Sequence, residues 1–248
     1  FRSNLSPATY RHALEQIDDY IHAGDCYQIN FAQRFSARFQ GDPWHAYKAL
    51  RQIAPTPFSA YLESPLGSIL SLSPERLLLA DHYGGVETRP INGTRPRGKT
   101  AAEDIALATE LANSPNDRAE NLMIVDLLRN DLSRSCQAGS IKVPELFSIE
   151  QYPNVHHMVS VISGQLKDGA TPLQLLKDSF PGGSITGAPK IRAMEIIDEL
   201  ETLRRGYYGG CIGYIDYSGN MDMAIAIRTM LVKDGGIYLQ AGGGVVAD

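Results

Sequence analysis

The chain has 248 residues, 43% of them hydrophobic, and a formal net charge of −5 at pH 7. The hydrophobic share is ample for a core, while the negative charge and the lack of any lysine and arginine cluster argue against a nucleic-acid partner. No apolar run approaches about 18 residues, which argues against a helix that crosses a membrane.

Helical and extended patterns follow one another along the chain. Caps and apolar spacing predict helices over 6–24, 43–53, 101–113, 117–132, 172–180 and 189–205. Alternating patterns predict strands over 26–39, 58–62, 68–72, 76–79, 86–89, 155–166 and through 208–240, with a hairpin turn at 218–220. Because strands and helices are segregated, we expect the α+β class with antiparallel sheets and not a doubly wound parallel sheet.

The cysteines bear on the compartment. Cys26, Cys136 and Cys211 are odd in number and scattered. Such a set fits a reducing cytosol better than a disulfide framework, so we expect a cytoplasmic protein.

The segment 180–194, FPGGSITGAPKIRAM, is the most informative in the chain. Glycine lets backbone N–H groups approach a ligand, and a helix start, here at Pro189 and Lys190, offers unpaired N–H groups and a positive dipole. Together with the hydroxyls of Ser184 and Thr186, this pattern is typical of a site for a small anion that carries carboxylates. The alternative is a plain connection between two helices, with Pro189 at the favoured first helical position.

Two glutamates are candidates for chemistry. Glu120 begins a predicted helix, where the dipole favours a carboxylate, and it would ligate Mg²⁺ only with further oxygens from elsewhere. Glu75 precedes the apolar run RLLLA, and a carboxylate beside an apolar wall can act as a general acid because desolvation raises its pKa. The alternatives are a helix-start acid for Glu120 and a solvated turn acid for Glu75.

Two neighbouring histidines open a predicted strand. His156 and His157 face opposite ways there, so at most one points into a given site. The chain has no HxH or HExxH spacing, which argues against a zinc site.

An arginine in an apolar run predicts a second anion site. Arg228 lies in MAIAIRTMLV, and a buried arginine needs a partner, either an acidic side chain or a substrate carboxylate held bidentately. We favour the substrate, because the glycines 242–244 follow closely as a second backbone cradle. The hydroxyl of Tyr208 would serve the same ligand, or Tyr208 is a core tyrosine.

Nine segments together resemble the chorismate-utilising enzymes over the whole chain. They are GDCYQINFAQRF, LSPER, TRPINGTRPR, DRAENLMIVDLLRNDLSR, VHHMVS, FPGGSITGAPKIRAMEIIDELE, YGGCIGYI, AIAIRTM and QAGGGVVAD. Within the family, GDCYQIN, VHHMVS and PGGSITGAPK are most similar to the branch that aminates C4 of chorismate, whereas the anthranilate-forming branch usually differs there. The resemblance implies a sandwich of two antiparallel sheets with flanking helices, in a single domain over residues 1–248.

The resemblance also implies ligands and roles. The substrate would be chorismate, with Mg²⁺ on its ring carboxylate, and a separate glutamine amidotransferase subunit would supply ammonia. Glu75 matches the general acid that helps the C4 hydroxyl leave, His157 the histidine near that chemistry, and Thr94 a substrate contact. Glu120 matches a Mg²⁺ ligand. Tyr208, Arg228 and Gly242 match binders of the enolpyruvyl carboxylate, and the further substrate-binding candidates are Ser184, Thr186, Lys190, Gly243 and Gly244.

The chain departs from the family pattern in two ways. Asn92 stands where the C4-aminating branch typically carries a lysine that attacks C2 of chorismate, and where the anthranilate branch carries alanine. An amide nitrogen is not a usable nucleophile, although Asn92-Gly93 is also an ordinary turn pair. We further expect the chain to lack the family's N-terminal region and the C-terminal helix that carries further Mg²⁺-binding glutamates.

These observations predict the ammonia-dependent conversion of chorismate to 4-amino-4-deoxychorismate, on the way to a folate precursor. Amination at C2, giving 2-amino-2-deoxyisochorismate or anthranilate, is the competing reaction, because the lysine is missing. The third alternative is a fragment that binds chorismate and docks an amidotransferase without turnover.

Overall fold

The computed structural model describes residues 1–247, and within them the chain forms six α-helices. The helices are α1 (Pro7–His22), α2 (Pro43–Ile53), α3 (Ala101–Asn113), α4 (Pro115–Ser135), α5 (Pro172–Ser179) and α6 (Lys190–Leu200). A 3₁₀ turn spans Gly183–Ile185.

Fourteen strands complete the fold of residues 1–247. They are β1 (Arg2–Ser3), β2 (Gln28–Arg38), β3 (Phe58–Ser64), β4 (Gly67–Ser73), β5 (Arg76–Ala80), β6 (Gly85–Arg89), β7 (Ile91–Pro96), β8 (Lys142–Gln151), β9 (Val155–Gln165), β10 (Gly187–Ala188), β11 (Cys211–Ile215), β12 (Met221–Ile225), β13 (Thr229–Lys233) and β14 (Gly236–Val246).

The strands form two antiparallel sheets, which confirms the predicted α+β class. The first has the order β1-β2-β14-β13-β4-β3, with β10 also paired to β2. The second has the order β11-β12-β5-β6-β9-β7, with β8 also paired to β9. Neighbours in both sheets pair antiparallel, as β2 does with β14 and β9 with β7. A parallel, doubly wound sheet is therefore excluded for the described residues.

The chain divides into two compact units that follow the two sheets. Unit 1 comprises residues 1–74, 181–212 and the described residues from 225 onward, and it contains the first sheet. Unit 2 comprises residues 75–180 and 213–224, and it contains most of the second sheet. The single domain expected over residues 1–248 stays a prediction, because two such units can belong to one domain or to two.

Unit 1 has a core that joins helices α1 and α6 to strand β2. Helix α1 begins where predicted, because the Ser6 side chain accepts a hydrogen bond from the Thr9 N–H and Pro7 follows it. Its apolar stripe is buried as the spacing predicts. The core consists of Leu5, Ala13, Ile17, Ile21, Cys26, Ile29, Phe31, Ala193, Ile196 and Ile197.

In unit 2, helix α4 packs against strands β7 and β9. Its buried residues are Asn121, Ile124, Val125, Leu128, Asp131, Leu132 and Ser135. Leu122 is apolar, but its side chain is 47% exposed, so it lies outside the buried face of α4. This buried face includes Asn121, and Glu120 beside it is half-buried.

Three predicted element boundaries were wrong. Helix α4 begins at Pro115 behind the Ser114 cap, and helix α6 ends at Leu200 rather than at 205. The run MAIAIRTMLV is not one strand, because β12 ends at Ile225 and β13 begins at Thr229. Strands β7 and β8 were not predicted. Among residues 1–247, no helix combines the length and the apolar sequence that a membrane crossing requires.

Candidate active site

In unit 2, the pairing of β7 with β9 brings Thr94 opposite His157. The Thr94 Oγ1 lies 2.8 Å from the His157 Nδ1. His157 is only 2% exposed, and the Tyr152 ring packs against its imidazole edge-on, with the ring centroids 5.4 Å apart. The imidazole is therefore fixed on one side by a hydroxyl and on another by an aromatic ring.

His156 points the other way, as expected for neighbours on a strand. Its Nε2 lies 2.9 Å from Asp104 Oδ1. The Asp104 carboxylate also accepts hydrogen bonds from Nε and Nη2 of Arg97. The Nδ1 of His156 is buried without a hydrogen-bond partner. His156 thus holds the strand to helix α3, and the neighbouring His157 is left for the site.

Glu75 lies between β4 and β5 and is 4% exposed. The alternative of a solvated turn acid is therefore wrong. The Ile91 N–H points at Glu75 Oε1 from 3.4 Å, which is a long contact. Because Ile91 is the first residue of β7, this carboxylate lies beside the start of the strand that carries Asn92 and Thr94.

Asn92 and Glu120 are in direct contact. The Asn92 side-chain amide donates to Glu120 Oε2 at 3.3 Å. Glu120 is the sixth residue of α4, one turn beyond the helix start, so its position does not rest on the dipole of the first turn. The acid in the first turn is Asp117 instead, which pairs with Arg95 at 3.0 Å.

A bulge explains how Asn92 reaches helix α4. The pairing of β7 with β9 shifts between Ile91 and Thr94, so Asn92-Gly93 is a strand irregularity and not a hairpin turn. Gly93 has a φ of +90°, and a Cβ there would lie 2.7 Å from Asp117 Oδ1 and 2.9 Å from Leu111 Cδ1. Only glycine fits this close approach, which sets the spacing between the bulge and α4.

The predicted site residues of unit 2 therefore lie along or against the short strand β7. Glu75, Asn92, Thr94, Glu120 and His157 each contact β7 or belong to it. The fit to a metal is limited, since within residues 1–247 no group of three His, Cys, Asp or Glu side chains is placed to hold one.

In unit 1, the glycine run 242–244 is part of a strand and not a free loop. Gly242, Gly243 and Gly244 pair with Ala32, Phe31 and Asn30 of β2. On the opposite side, β13 pairs with β14 only as far as Leu239. Within residues 1–247, therefore, no strand pairs with the glycines on the side of β14 that faces away from β2. The expected backbone cradle is restricted to this unpaired edge of β14.

Strand β2 explains why positions 242 and 244 are glycines, whereas a Cβ at Gly243 would meet nothing within 4 Å. A Cβ at Gly242 would lie 2.9 Å from Asn30 Oδ1, and one at Gly244 would overlap the Gln28 side-chain amide. Gln28 is 4% exposed, and its Oε1 is buried without a partner. The sequence interpretation named neither side chain, although both lie in the segment GDCYQIN.

Asn30 links three of the predicted binding elements. The Tyr208 hydroxyl donates to Asn30 Oδ1 at 3.5 Å, and the Asn30 amide donates to the Ser184 carbonyl at 3.5 Å. The Asn30 N–H also donates to the Thr186 carbonyl at 2.8 Å. Tyr208 is 5% exposed, so it is both a buried tyrosine and a neighbour of the loop.

The loop itself is pinned to β2. Gly187 and Ala188 pair with Ile29 and Gln28, and a Cβ at Gly187, whose φ is +147°, would overlap the Gln28 carbonyl oxygen. The Thr186 hydroxyl donates to the Gly182 carbonyl at 2.9 Å, which closes the turn. Helix α6 begins at Lys190, so Pro189 is the cap and not the first helical residue as predicted.

Arg228 is exposed, which corrects the buried arginine expected from its apolar neighbours. It lies in a bend with a φ of +48°, and its carbonyl accepts from the Leu72 N–H at 3.1 Å. It directly precedes β13, which pairs with β14, the strand that carries the glycines. The convergence of its guanidinium with the glycines stays a prediction.

Comparison with known proteins identifies the family. The model of the chorismate binding enzymes matches residues 1–248, the whole chain. The chain belongs to this family of chorismate-binding enzymes. It is 54% identical over all its residues to aminodeoxychorismate synthase component 1 of Escherichia coli K12, and 46% identical to anthranilate synthase component 1 of Aquifex aeolicus.

A solved relative supports the fold of this chorismate-binding chain. The structure of anthranilate synthase component I from Streptococcus pneumoniae TIGR4 superposes with a TM-score of 0.91 at 40% identity. The match covers all of this chain and 55% of the solved one. The chain likewise spans 54% of the Escherichia coli relative and 50% of the Aquifex aeolicus relative, so it corresponds to about half the length of each.

Proposed function

We propose that the chain is the chorismate-binding part of an enzyme that converts chorismate and ammonia to 4-amino-4-deoxychorismate. The observation that carries the proposal is the cluster on β7, where a buried glutamate, a fixed histidine and a half-buried glutamate meet one strand. The 54% identity to an aminodeoxychorismate synthase component 1 supports amination at C4.

We assign the acid chemistry to unit 2. Glu75 is 4% exposed and contacts the first residue of β7, and it would protonate the C4 hydroxyl as that group leaves as water. The Thr94 hydroxyl would hold the His157 imidazole in one orientation beside this chemistry. These roles follow the family positions that the residues match.

We assign carboxylate binding to unit 1. Chorismate is a dianion, and Arg228 and the exposed edge of the glycine run supply donors of the kind that a carboxylate requires. The Tyr208 hydroxyl would join them by turning its single O–H from Asn30 Oδ1 to the ligand. Ser184 and Thr186 belong to the loop that β2 pins near Tyr208, and Lys190 is the first residue of helix α6 that follows this loop.

The proposal includes Mg²⁺ through Glu120. This carboxylate is half-buried and accepts a hydrogen bond from Asn92. An ionised carboxylate has about four lone-pair sites, so it can accept a hydrogen bond and also coordinate a cation. When bound, Mg²⁺ would neutralise the ring carboxylate of the substrate. Since Mg²⁺ keeps several waters and needs only one or two carboxylates, Glu120 fits the ion as one member of a larger set.

Ammonia would come from a glutamine amidotransferase subunit in the cytoplasm. The relatives named component 1 support a partner subunit. The mechanism in this chain needs ammonia as the external nucleophile, because the Asn92 amide cannot attack carbon.

Amination at C2 is the second candidate, and Asn92 is the observation that favours it. Without a lysine, nothing at this position forms a covalent bond to C2, which leaves C2 open to ammonia. Chromatographic product analysis with chorismate, ammonia and Mg²⁺ separates the outcomes. The product 4-amino-4-deoxychorismate supports the proposal, anthranilate or 2-amino-2-deoxyisochorismate favours the second candidate, and binding without product indicates a non-catalytic fragment.

A further inference from the structure

Strand β2 has one edge that pairs with β14 and another that pairs with β10 and β1. The second edge, next to the loop 183–186, has a gap in its strand pairing. On this edge, β10 pairs with Gln28 and Ile29, and β1 pairs with Phe35 and Ser36. Between them, within residues 1–247, no strand covers positions 30–34. The backbone groups at these positions need other partners, because an unpaired N–H or C=O away from water is costly.

Asn4 pairs with both backbone groups of Arg34, and the Thr186 carbonyl accepts from the Asn30 N–H. Two side chains serve two further backbone groups in the middle of this gap. Glu201 Oε1 accepts from the Ala32 N–H at 2.9 Å, and the Arg205 Nη2 donates to the Asn30 carbonyl at 2.6 Å. The two side chains also pair with each other, with Arg205 Nη2 2.6 Å from Glu201 Oε1 and Arg205 Nε 2.9 Å from Glu201 Oε2. Their side chains are 15% and 5% exposed for Arg205 and Glu201. The ion pair therefore supplies one donor and one acceptor to β2, as a neighbouring strand would.

The same arginine reaches the loop and the tyrosine. Its Nη1 donates to the Ile185 carbonyl, inside the 3₁₀ turn between Ser184 and Thr186. Its guanidinium also lies 5.5 Å from the centre of the Tyr208 ring. Thus one rigid fork contacts β2, the loop and Tyr208 at once, and each contact uses a different part of the guanidinium.

We propose that the Glu201–Arg205 pair is a positioning device for substrate binding: it replaces a missing strand on β2 and thereby fixes the loop 183–186 and Tyr208 relative to Asn30. This inference rests on the proposed function, because the loop and Tyr208 are the elements assigned to the substrate carboxylate. Neither Glu201 nor Arg205 needs to touch the substrate.

Lysine cannot replace the arginine in this role. A lysine keeps the charge and can reach one acceptor, but it lacks the planar fork that serves Glu201, Asn30 and Ile185 together. Arg205→Lys therefore keeps the positive charge and removes the planar arrangement of several donors. The matched control is Arg204→Lys, because Arg204 is the exposed neighbour in the same turn.

The test uses two measurements on the protein and its variants. The first is amide hydrogen exchange without substrate, read at Asn30, whose N–H donates to the Thr186 carbonyl and so reports how firmly the loop is held. We expect exchange there to accelerate about tenfold or more in Arg205→Lys, the effect of losing one hydrogen bond to a charged group. Exchange at the core residue Leu70, and all exchange in Arg204→Lys, should stay unchanged.

The second measurement is the chorismate dissociation constant by calorimetry, with the thermal midpoint recorded for each variant. We expect Arg205→Lys to bind about tenfold more weakly and Arg204→Lys to bind as the unsubstituted protein does. Glu201→Gln is a second variant if Arg205→Lys does not fold, because Gln keeps the acceptor for Ala32 and loses the charge that orients Arg205. It should show the same two changes.

The outcomes separate the inference from the proposed function. Unchanged exchange at Asn30, or faster exchange with unchanged chorismate affinity, would overturn the positioning role. An unsubstituted protein that does not bind chorismate would defeat the proposed function, whatever the exchange shows.

Discussion

Asn92 donates to the carboxylate of Glu120, and this contact joins two residues with separate proposed roles. A lysine at position 92 would place an ammonium near the same carboxylate, where it would be both a cation partner and a nucleophile. The present amide offers neither, so in the folded chain Asn92 is a hydrogen-bond donor to Glu120. In the proposed reaction, external ammonia would be the nucleophile.

We expect Asn92→Lys to raise the rate of 4-amino-4-deoxychorismate formation. A covalent nucleophile at C2 lowers the barrier by roughly a few kcal/mol relative to an external one, through effective concentration. The measurement is product identity and rate by liquid chromatography, with excess ammonia for both proteins. Asn92→Ala is the control, since it removes the amide without adding an amine. Equal rates of the C4 product for all three proteins would show that position 92 takes no part in the chemistry.

Arg228 provides a second prediction for a single side chain. We expect Arg228→Ala to weaken chorismate binding by about 2 kcal/mol, near the lower end for truncation of a charged hydrogen-bonding group, because Arg228 is exposed rather than buried. The control is Arg51→Ala, which removes another exposed arginine from helix α2. Calorimetric titration with chorismate checks both variants, and an unchanged affinity for Arg228→Ala would remove this residue from the carboxylate site.

Helix α3 is tied to β9 through Asp104, and this connection predicts a pH dependence. Hydrogen bonds from the Arg97 guanidinium and the Gly98 N–H hold the pKa of Asp104 well below its ordinary value. A carboxylate whose pKa is depressed by folding stabilises the fold above its unfolded pKa of about 4, and this stabilisation is lost as the pH falls through the folded value. Protonation of Asp104, or its replacement by asparagine, removes the negative charge that faces His156 and Arg97.

We therefore expect Asp104→Asn to lower the free energy of unfolding at neutral pH and to approach the unsubstituted protein as the pH falls below about 4. Urea unfolding at a series of pH values measures the difference. Asp126→Asn is the control, because Asp126 forms an exposed pair with Arg129 on helix α4 and such pairs contribute little. A difference for Asp104→Asn that stays constant across this pH range would contradict the role of its ionised carboxylate.

Two glycines with positive φ allow a matched pair of substitutions. Gly187 and Gly169 both have positive φ, +147° and +78°, but a Cβ at Gly187 would overlap the Gln28 carbonyl whereas one at Gly169 would meet nothing within 4 Å. We expect Gly187→Ala to reduce the free energy of unfolding by roughly 1–3 kcal/mol more than Gly169→Ala, since only the first adds overpacking to backbone strain. Chemical denaturation of both variants checks this, and equal losses would show that β2 yields to the added methyl group.

The elements that local chemistry specifies were predictable from the sequence. Helix α1 follows a Ser-Pro cap, and α3 follows Thr100, whose hydroxyl accepts from the Glu103 N–H. Ser114-Pro115 offered the same signal for the true start of α4, and it was overlooked. Strand β8 was missed because its pairing with β9 shifts twice and Phe147 has a φ of +60°, which breaks the two-residue alternation.

The contacts within the candidate site depend on pairings that no local pattern contains. That Thr94 meets His157 follows from the register of two strands more than 60 residues apart along the chain. The burial of Glu75 follows from the packing of β7, a strand whose Asn92-Gly93 bulge looks like a turn in the sequence. The family resemblance supplied these residues, whereas the residue patterns alone left their alternatives open.

Taken as a whole, the chain matches its relatives over all its residues but corresponds to about half of their length.

Glu120 is one carboxylate for Mg²⁺, and within residues 1–247 no group of three potential ligands accompanies it. We expect Mg²⁺ alone to bind weakly and to bind more tightly with chorismate, whose carboxylate adds an oxygen ligand. Calorimetric titration with and without chorismate, for the protein and for Glu120→Gln, tests this. Tight binding of Mg²⁺ without chorismate, or binding that Glu120→Gln leaves intact, would contradict the assignment.

The most direct measurement is the identity of the product that the protein makes from chorismate and excess ammonia with Mg²⁺, determined by liquid chromatography with mass detection. We expect 4-amino-4-deoxychorismate, and we expect Glu75→Gln, which keeps the shape and removes the acid, to abolish its formation while chorismate still binds. Anthranilate or 2-amino-2-deoxyisochorismate as the main product, or full activity in Glu75→Gln, would contradict C4 amination by a buried glutamate.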